Sequence, residues 1–264
     1  HAWYWSYSNS DVAHNYPGNK IAKTTGLFVS HAWGYNSINL TNIPHPLARP
    51  QSAIQAIYDD RINDQQLSID DASIADSTLS VCTGVVTLDF HGFWSPLRDT
   101  VNATGWTVIE YGTLWQNVGH NIGEDPVADT LLRVEAALTQ GLPANELPTH
   151  PSHVEFPGEV PANATRVTST VSIDGNQSGL PSNFGYAQAG SHVRMTTGLY
   201  AAAGELVSVS FPPEIVDSGT YVLVGAHSDS LWSKTQLHRH PQIVRWWYVD
   251  QDTMEVGNAF GGPI

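Results

Sequence analysis

The chain has 264 residues, enough for one or two domains with packed cores, and it is 41% hydrophobic and 14% charged, which excludes a disordered segment or a coiled coil. Eleven Lys and Arg against 25 Asp and Glu give a formal charge of −14, a surface that repels phosphate backbones and anionic lipid heads, so nucleic-acid and membrane-surface binding are set aside. No apolar run approaches the roughly 18 to 20 residues of a membrane span, and the opening His1-Ala2-Trp3-Tyr4-Trp5-Ser6 lacks the basic start and apolar stretch of a secretory leader. It reads as the interior of a domain.

In chain order, Leu27-Phe28-Val29, Val85–Leu88 and Trp106–Ile109 read as short buried strands of an α/β sheet. Helices are predicted at Gln51–Asp60, with Ile54, Ile57 and Tyr58 on one face, and at Pro96–Val101. The clearest helix is Pro126–Gln140: Asp125 can cap it, Pro126 suits its first turn, and Val127, Leu131, Val134 and Leu138 share a stripe that Gly141 ends. Leu142–Pro161 holds Pro143, Pro148, Pro151, Pro157 and Pro161 without periodicity, a linker. Beyond it strands are predicted at Val167–Ile173, leading into the turn Asp174-Gly175, and at Val207–Phe211, Tyr221–Gly225 and Ile243–Val249. Short strands punctuated by Gly and Pro predict a β-sandwich.

Twelve histidines call for a test of metal chemistry. A zincin helix needs His-Glu-x-x-His, two imidazoles one turn apart with a Glu to polarise the zinc-bound water, and no histidine here is followed by Glu. His150-Pro151-Ser152-His153 lies in the linker, and His238-Arg239-His240 is read as a strand with its imidazoles on opposite faces, so surface or hydrogen-bonded histidines are expected at both. An amine and imidazole at His1, completed by His31 or His91, would chelate copper only if His1 were a processed terminus. The single cysteine, Cys82, excludes an intrachain disulfide and a thiolate-only metal site. Its setting, Ser80-Val81-Cys82-Thr83-Gly84, partly matches the turn that presents a nucleophile in amidotransferase-like enzymes. A serine replaces the preceding glycine and Val85, Val86 and Leu88 read as strand, so a buried, inert thiol is expected.

Nine Trp and ten Tyr are an enrichment whose rings could stack on sugars, although most should be core, and neighbours Trp246 and Trp247 point to opposite sides of a strand so that at most one is exposed. Asn39, Asn102, Asn163 and Asn176 begin glycosylation acceptor patterns, a number close to chance for this composition.

Four blocks near the C-terminus carry a resemblance: Thr197-Gly198-Leu199-Tyr200-Ala201-Ala202-Ala203-Gly204-Glu205-Leu206, Val224-Gly225-Ala226-His227-Ser228-Asp229-Ser230-Leu231-Trp232, Arg239-His240-Pro241, and Gly257-Asn258-Ala259-Phe260-Gly261-Gly262. In this order they resemble the start of the enhancin-like, mucin-degrading zinc metallopeptidase domain. At the other end Ala2–Tyr7, Tyr16–Ile21 and Thr25–Val29 are similar to the amidotransferase-like α/β domain upstream of such peptidase domains, as in the TRP-channel-associated factor family. The resemblance implies an N-terminally truncated amidotransferase-like α/β domain over 1–141, a linker over 142–161, and the β-sandwich part of an enhancin-like peptidase domain, cut at its C-terminus, over 162–264. In that family His-Glu-x-x-His comes later, and zinc-bound water attacks the peptide carbonyl. The expected chain is therefore a non-catalytic fragment with no cofactor of its own, from a parent that holds zinc and acts on glycoproteins such as mucins, outside the cell or at its surface. The alternatives are a non-enzymatic interaction protein of the channel-associated type, or a glycan-binding module. For a ligand, His227, Asp229 and Trp232 offer two polar partners beside one stacking face on a single loop.

Overall fold

The computed structural model describes residues 45–112, 119–175 and 192–264. The chain divides into two compact units. Unit 1 takes the chain through Glu146 together with Ser230–Gln242, and unit 2 takes Leu147–Asp229 with Ile243–Ile264.

Among the described residues, unit 1 is built on four helices. Helix α1 (Pro50–Ile62) starts on a proline whose fixed φ suits a first turn, and it buries Ala53, Ile54 and Ile57. Helix α2 (Ile69–Thr83) begins where the Ser68 hydroxyl accepts the Asp71 amide at 3.1 Å, with Asp70 and Asp71 at the positive end of its dipole. Its buried stripe is made of small residues, Ala72 and Ala75, with Leu79. Helix α3 (His91–Thr104) carries Pro96 inside it and ends at Gly105, whose φ of 82° is left-handed. Helix α4 (Pro126–Gly141) is capped by the Asp125 carboxylate, which accepts the Ala128 amide at 3.1 Å. Helices α1 and α4 each pack on both α2 and α3. Asp76 of α2 ties to α4 through an ion pair with Arg133 and a 2.9 Å bond from the Thr130 hydroxyl.

Several predicted strands of this half take other forms. Val85 and Val86 both donate their amides to the Cys82 carbonyl, at 3.1 and 2.8 Å, so Val85–Leu88 is a turn after α2. The Trp94 indole donates to the Val86 carbonyl at 3.1 Å and holds that turn against α3. Trp106–Ile109 runs without a ladder partner, from Trp106 at φ 63° to Ile109, which is buried with Leu132 and Leu237. Leu27–Val29 lies outside the described residues. The strand pair present is a short antiparallel ribbon, β1 (His120–Asn121) with β5 (Gln236–Leu237).

Unit 2 is β-rich. Strand β2 (Tyr200–Ala201) pairs with β8 (Gly262–Pro263), β3 (Val207–Ser210) with β7 (Thr253–Val256), and β4 (Tyr221–Val224) with β6 (Arg245–Tyr248), all antiparallel. Alternation places Val222, Val224 and Trp247 inward with Ala201, Val249 and Val256, the core of the unit. Arg245 shares this inward face. Its guanidinium lies 3.8 Å from the centroid of the Trp247 ring, and burial pulls its pKa down to about 10. Val167–Ile173 alternates in sequence but forms no ladder. Val167, Val171 and Ile173 are all exposed, so no buried face supports pairing. The proline-rich stretch 142–161 contains single 3-10 turns at Ala144–Glu146 and Pro151–His153 and buries Ala144, His150 and Ser152.

The glycine-rich blocks converge within unit 2. A Cβ on Gly225, at φ 125°, would stand 2.7 Å from both Asn258 Nδ2 and the Ile243 carbonyl, and one on Gly262 would stand 2.4 Å from the Gly225 Cα. The buried Asn258 side chain donates to the carbonyls of Val224 (2.8 Å), Ile243 (2.8 Å) and Gly261 (3.1 Å) and accepts the Phe260 amide at 3.2 Å. Gly225, Asn258 and Gly262 are thus one interlocked backbone crossing.

Candidate functional site

Two places concentrate chemistry. The first is inside unit 1, where α4 buries two carboxylates. Asp129 accepts the His120 imidazole at 2.6 Å through Oδ1 and the Gly123 amide at 2.7 Å through Oδ2. Six residues on, Glu135 is fully buried and accepts the Thr107 amide at 2.8 Å. A Glu135 oxygen and a His240 ring nitrogen lie within 4.8 Å of each other. His240 Nδ1 lies 3.2 Å from the Gln242 carbonyl oxygen. Desolvation raises the Glu135 carboxyl to about pH 6, against the pull of His240, the Thr107 amide and His120. This group can hold or release one proton near neutrality in a water-poor setting.

Neighbouring His238 is half-buried and shares a hydrogen bond with Gln236 at 3.1 Å. The opposite-faces reading of His238 and His240 does not stand. Positions two apart share a face on a strand, and β5 ends at Leu237 before either residue. In unit 2, His150 accepts the Ser152 amide through Nδ1 at 3.1 Å and stacks on Phe260 at 4.6 Å, and burial drives its pKa down to about 3. Cys82 sits in the last turn of α2, half-buried rather than buried, with its thiol pushed up by desolvation. An amidotransferase-like thiol needs a His-x-Glu pair to activate it, and His153-Val154-Glu155, which has that spacing, belongs to unit 2, where His153 bonds the His150 carbonyl at 2.8 Å.

The second place is the solvent face of β4 and β6. Tyr221, Trp246 and Tyr248 are 41%, 37% and 39% exposed, while Trp247 turns into the core, so one indole of the pair is presented. Tyr221 meets the rings of Tyr248 at 5.2 Å, Trp246 at 6.1 Å and His192 at 5.2 Å.

The residues proposed from sequence are distributed differently. His227 and Asp229 are exposed residues of unit 2, and His227, at φ 57°, lies 5.3 Å from the Phe156 ring. Trp232 belongs to unit 1 and packs partly buried on Ile109, Leu132 and Leu237. Sequence reasoning passed over Glu135, Asp129 and His120, because carboxylates inside an amphipathic stripe carry no motif. It passed over Tyr221, Tyr248 and His192 because only strand register makes them neighbours.

Residues 162–264 match the family model described as the N-terminal domain of M60-like peptidases. Across its whole length the chain is 25% identical over 278 residues to the TRPM8 channel-associated factor homolog of Xenopus laevis and 22% identical over 270 residues to that of Danio rerio. It spans 26% and 28% of those proteins, about a quarter of each. No solved structure matches. Among the described residues no helix is long and apolar enough to cross a membrane.

Proposed function

We propose that the chain is a non-catalytic portion of an enhancin-like zinc metallopeptidase acting on glycoproteins such as mucins, outside the cell or at its surface. In this reading 162–264 is the sandwich domain ahead of the catalytic part, and the N-terminal half is an amidotransferase-like companion. The observation that carries the reading is the match of 162–264 to the M60-like N-terminal model, over the residues that build the Gly225, Asn258 and Gly262 crossing. The sequence offers no His-Glu-x-x-His. No step is routed through a zinc. Purified chain is expected to carry no stoichiometric zinc by elemental analysis and to leave mucin intact. Chelator-sensitive mucin cleavage by this polypeptide would overturn the reading.

The second reading is an interaction protein of the channel-associated type, favoured by the two relatives that match along the entire chain. Capture of a TRP-type channel's soluble segment by the full chain, with no effect of mucin glycopeptides on the capture, supports it over the first.

A further inference from the structure

The solvent face of an antiparallel ladder ordinarily carries polar side chains. On β4 and β6 that face is Tyr221, Leu223, Trp246 and Tyr248, with Tyr221 directly opposite Tyr248 and Leu223 opposite Trp246. Tyr221 is the centre of the group. Its ring meets Tyr248 at 61°, Trp246 at 84° and His192 at 63°, which gives a stepped, partly exposed aromatic surface. Exposed aromatic groups of this kind are uncommon on a solvent face without a ligand. Such rings suit the C–H face of a pyranose, whose slightly positive hydrogens meet the negative π face.

Two further observations narrow the ligand. The Arg194 guanidinium lies over the Trp246 ring, 5.3 Å from its centroid, and among the described residues it has no salt-bridge partner, so the platform carries a cation. Tyr248 also borders an open surface depression, lined with Trp247 and Met254 and with the polar residues Ser208, Asp250, Gln251, Thr253 and Glu255. With Asp250 and Glu255 in it, that lining suits the hydroxyls of a neutral sugar unit and repels an anion, so the acidic sugar sits beside Arg194 and not there. We infer that this face is a saccharide-binding site for an oligosaccharide that carries one carboxylate sugar: a pyranose packs on the Tyr221 ring with Trp246 as its upright side wall, the carboxylate pairs with Arg194, and the following unit turns its hydroxyls toward the polar residues beside Tyr248. The inference rests on the glycoprotein reading for the source of such a saccharide and on the platform alone for its chemistry.

Calorimetric and tryptophan-fluorescence titrations of the full chain with sialyllactose and with lactose test it. Sialyllactose is expected to saturate with a Kd at least five-fold below that of lactose. Trp246→Ala and Tyr221→Ala, at exposed positions, should weaken sialyllactose at least ten-fold while the far-UV spectrum and melting temperature hold. Arg194→Ala should bring sialyllactose to the level of lactose and leave lactose unchanged. No saturation by either sugar, unchanged binding in Trp246→Ala, or saturation only by a proline-rich peptide overturns the site. Mucin cleavage and zinc content are separate readouts, so loss of the peptidase reading and loss of this site are distinguishable.

Discussion

Glu135 illustrates what one buried group does to the chain. Its carboxyl titrates at about 6 when folded against 4.5 in the unfolded chain, so between those values the folded state holds more of the proton. The resulting stabilisation is full below pH 4.5 and is lost as pH rises through 6, a difference of about 2 kcal/mol. Glu135→Gln keeps an acceptor for the Thr107 amide and removes the titration. Urea midpoints at pH 4.5 and 7 should therefore differ less in the variant than in the parent. An unchanged difference would place the titration on another group. His150 works in the opposite direction, because its folded pKa of about 3 lies below the free value of 6.5, and its stabilisation is lost as pH falls through 3. Gly225 is a residue-scale constraint of another kind. Gly225→Ala combines a left-handed φ with backbone closer than a Cβ allows and should cost about 3 kcal/mol, seen as a lower midpoint in chemical denaturation.

At the scale of elements, what was legible in the sequence was what local signals encode. Helix α4 announced itself through Asp125, Pro126 and a regular apolar stripe, and it forms over Pro126–Gly141, one residue beyond the Gln140 expected. Asp125→Ala removes the cap and the partner of Arg61, and should lower stability by about 1 kcal/mol, measurable as a shift of the melting temperature. Strands β3, β4 and β6 were legible from alternation and turn residues. Helix α2 was not, because Ala72 and Ala75 make a weak stripe among Ser and Asp. Val85–Leu88 misled in the other direction. A run of β-branched residues scores as strand, yet here the valines seal a turn against α3. Trp106–Ile109 misled for a related reason, since Ile109 is buried by side-chain packing with no ladder to accompany it. The functional groups were least legible. Glu135 is found only by knowing which side of α4 faces inward, and the Tyr221 platform only by knowing the β4 and β6 register.

For the whole molecule, the matched family model and the compact unit begin at different residues. The model starts at 162, whereas unit 2 starts at Leu147. The fifteen residues between are structural for that unit. The His150 amide bonds the Ala259 carbonyl at 2.9 Å, its ring covers Phe260, and a Cβ on Gly204 would stand 2.3 Å from the Thr149 hydroxyl. A polypeptide of residues 147–264 should therefore melt cooperatively at a higher temperature than one of 162–264, whose near-UV signal should weaken as Phe260 and Ile243 lose cover. Equal melting of the two would show that the added segment is dispensable.

The path of Ser230–Gln242 has a consequence for how such a chain can be rearranged. The polypeptide leaves unit 2 after Asp229, contributes Trp232 and Leu237 to unit 1, and returns at Ile243. Neither half is then a cassette that recombination could lift out with two cuts at its borders. A protease that nicks the 146/147 junction would give two polypeptides, and the second, 147–264, would still carry the Ser230–Gln242 segment that supplies Trp232 and Leu237 to unit 1.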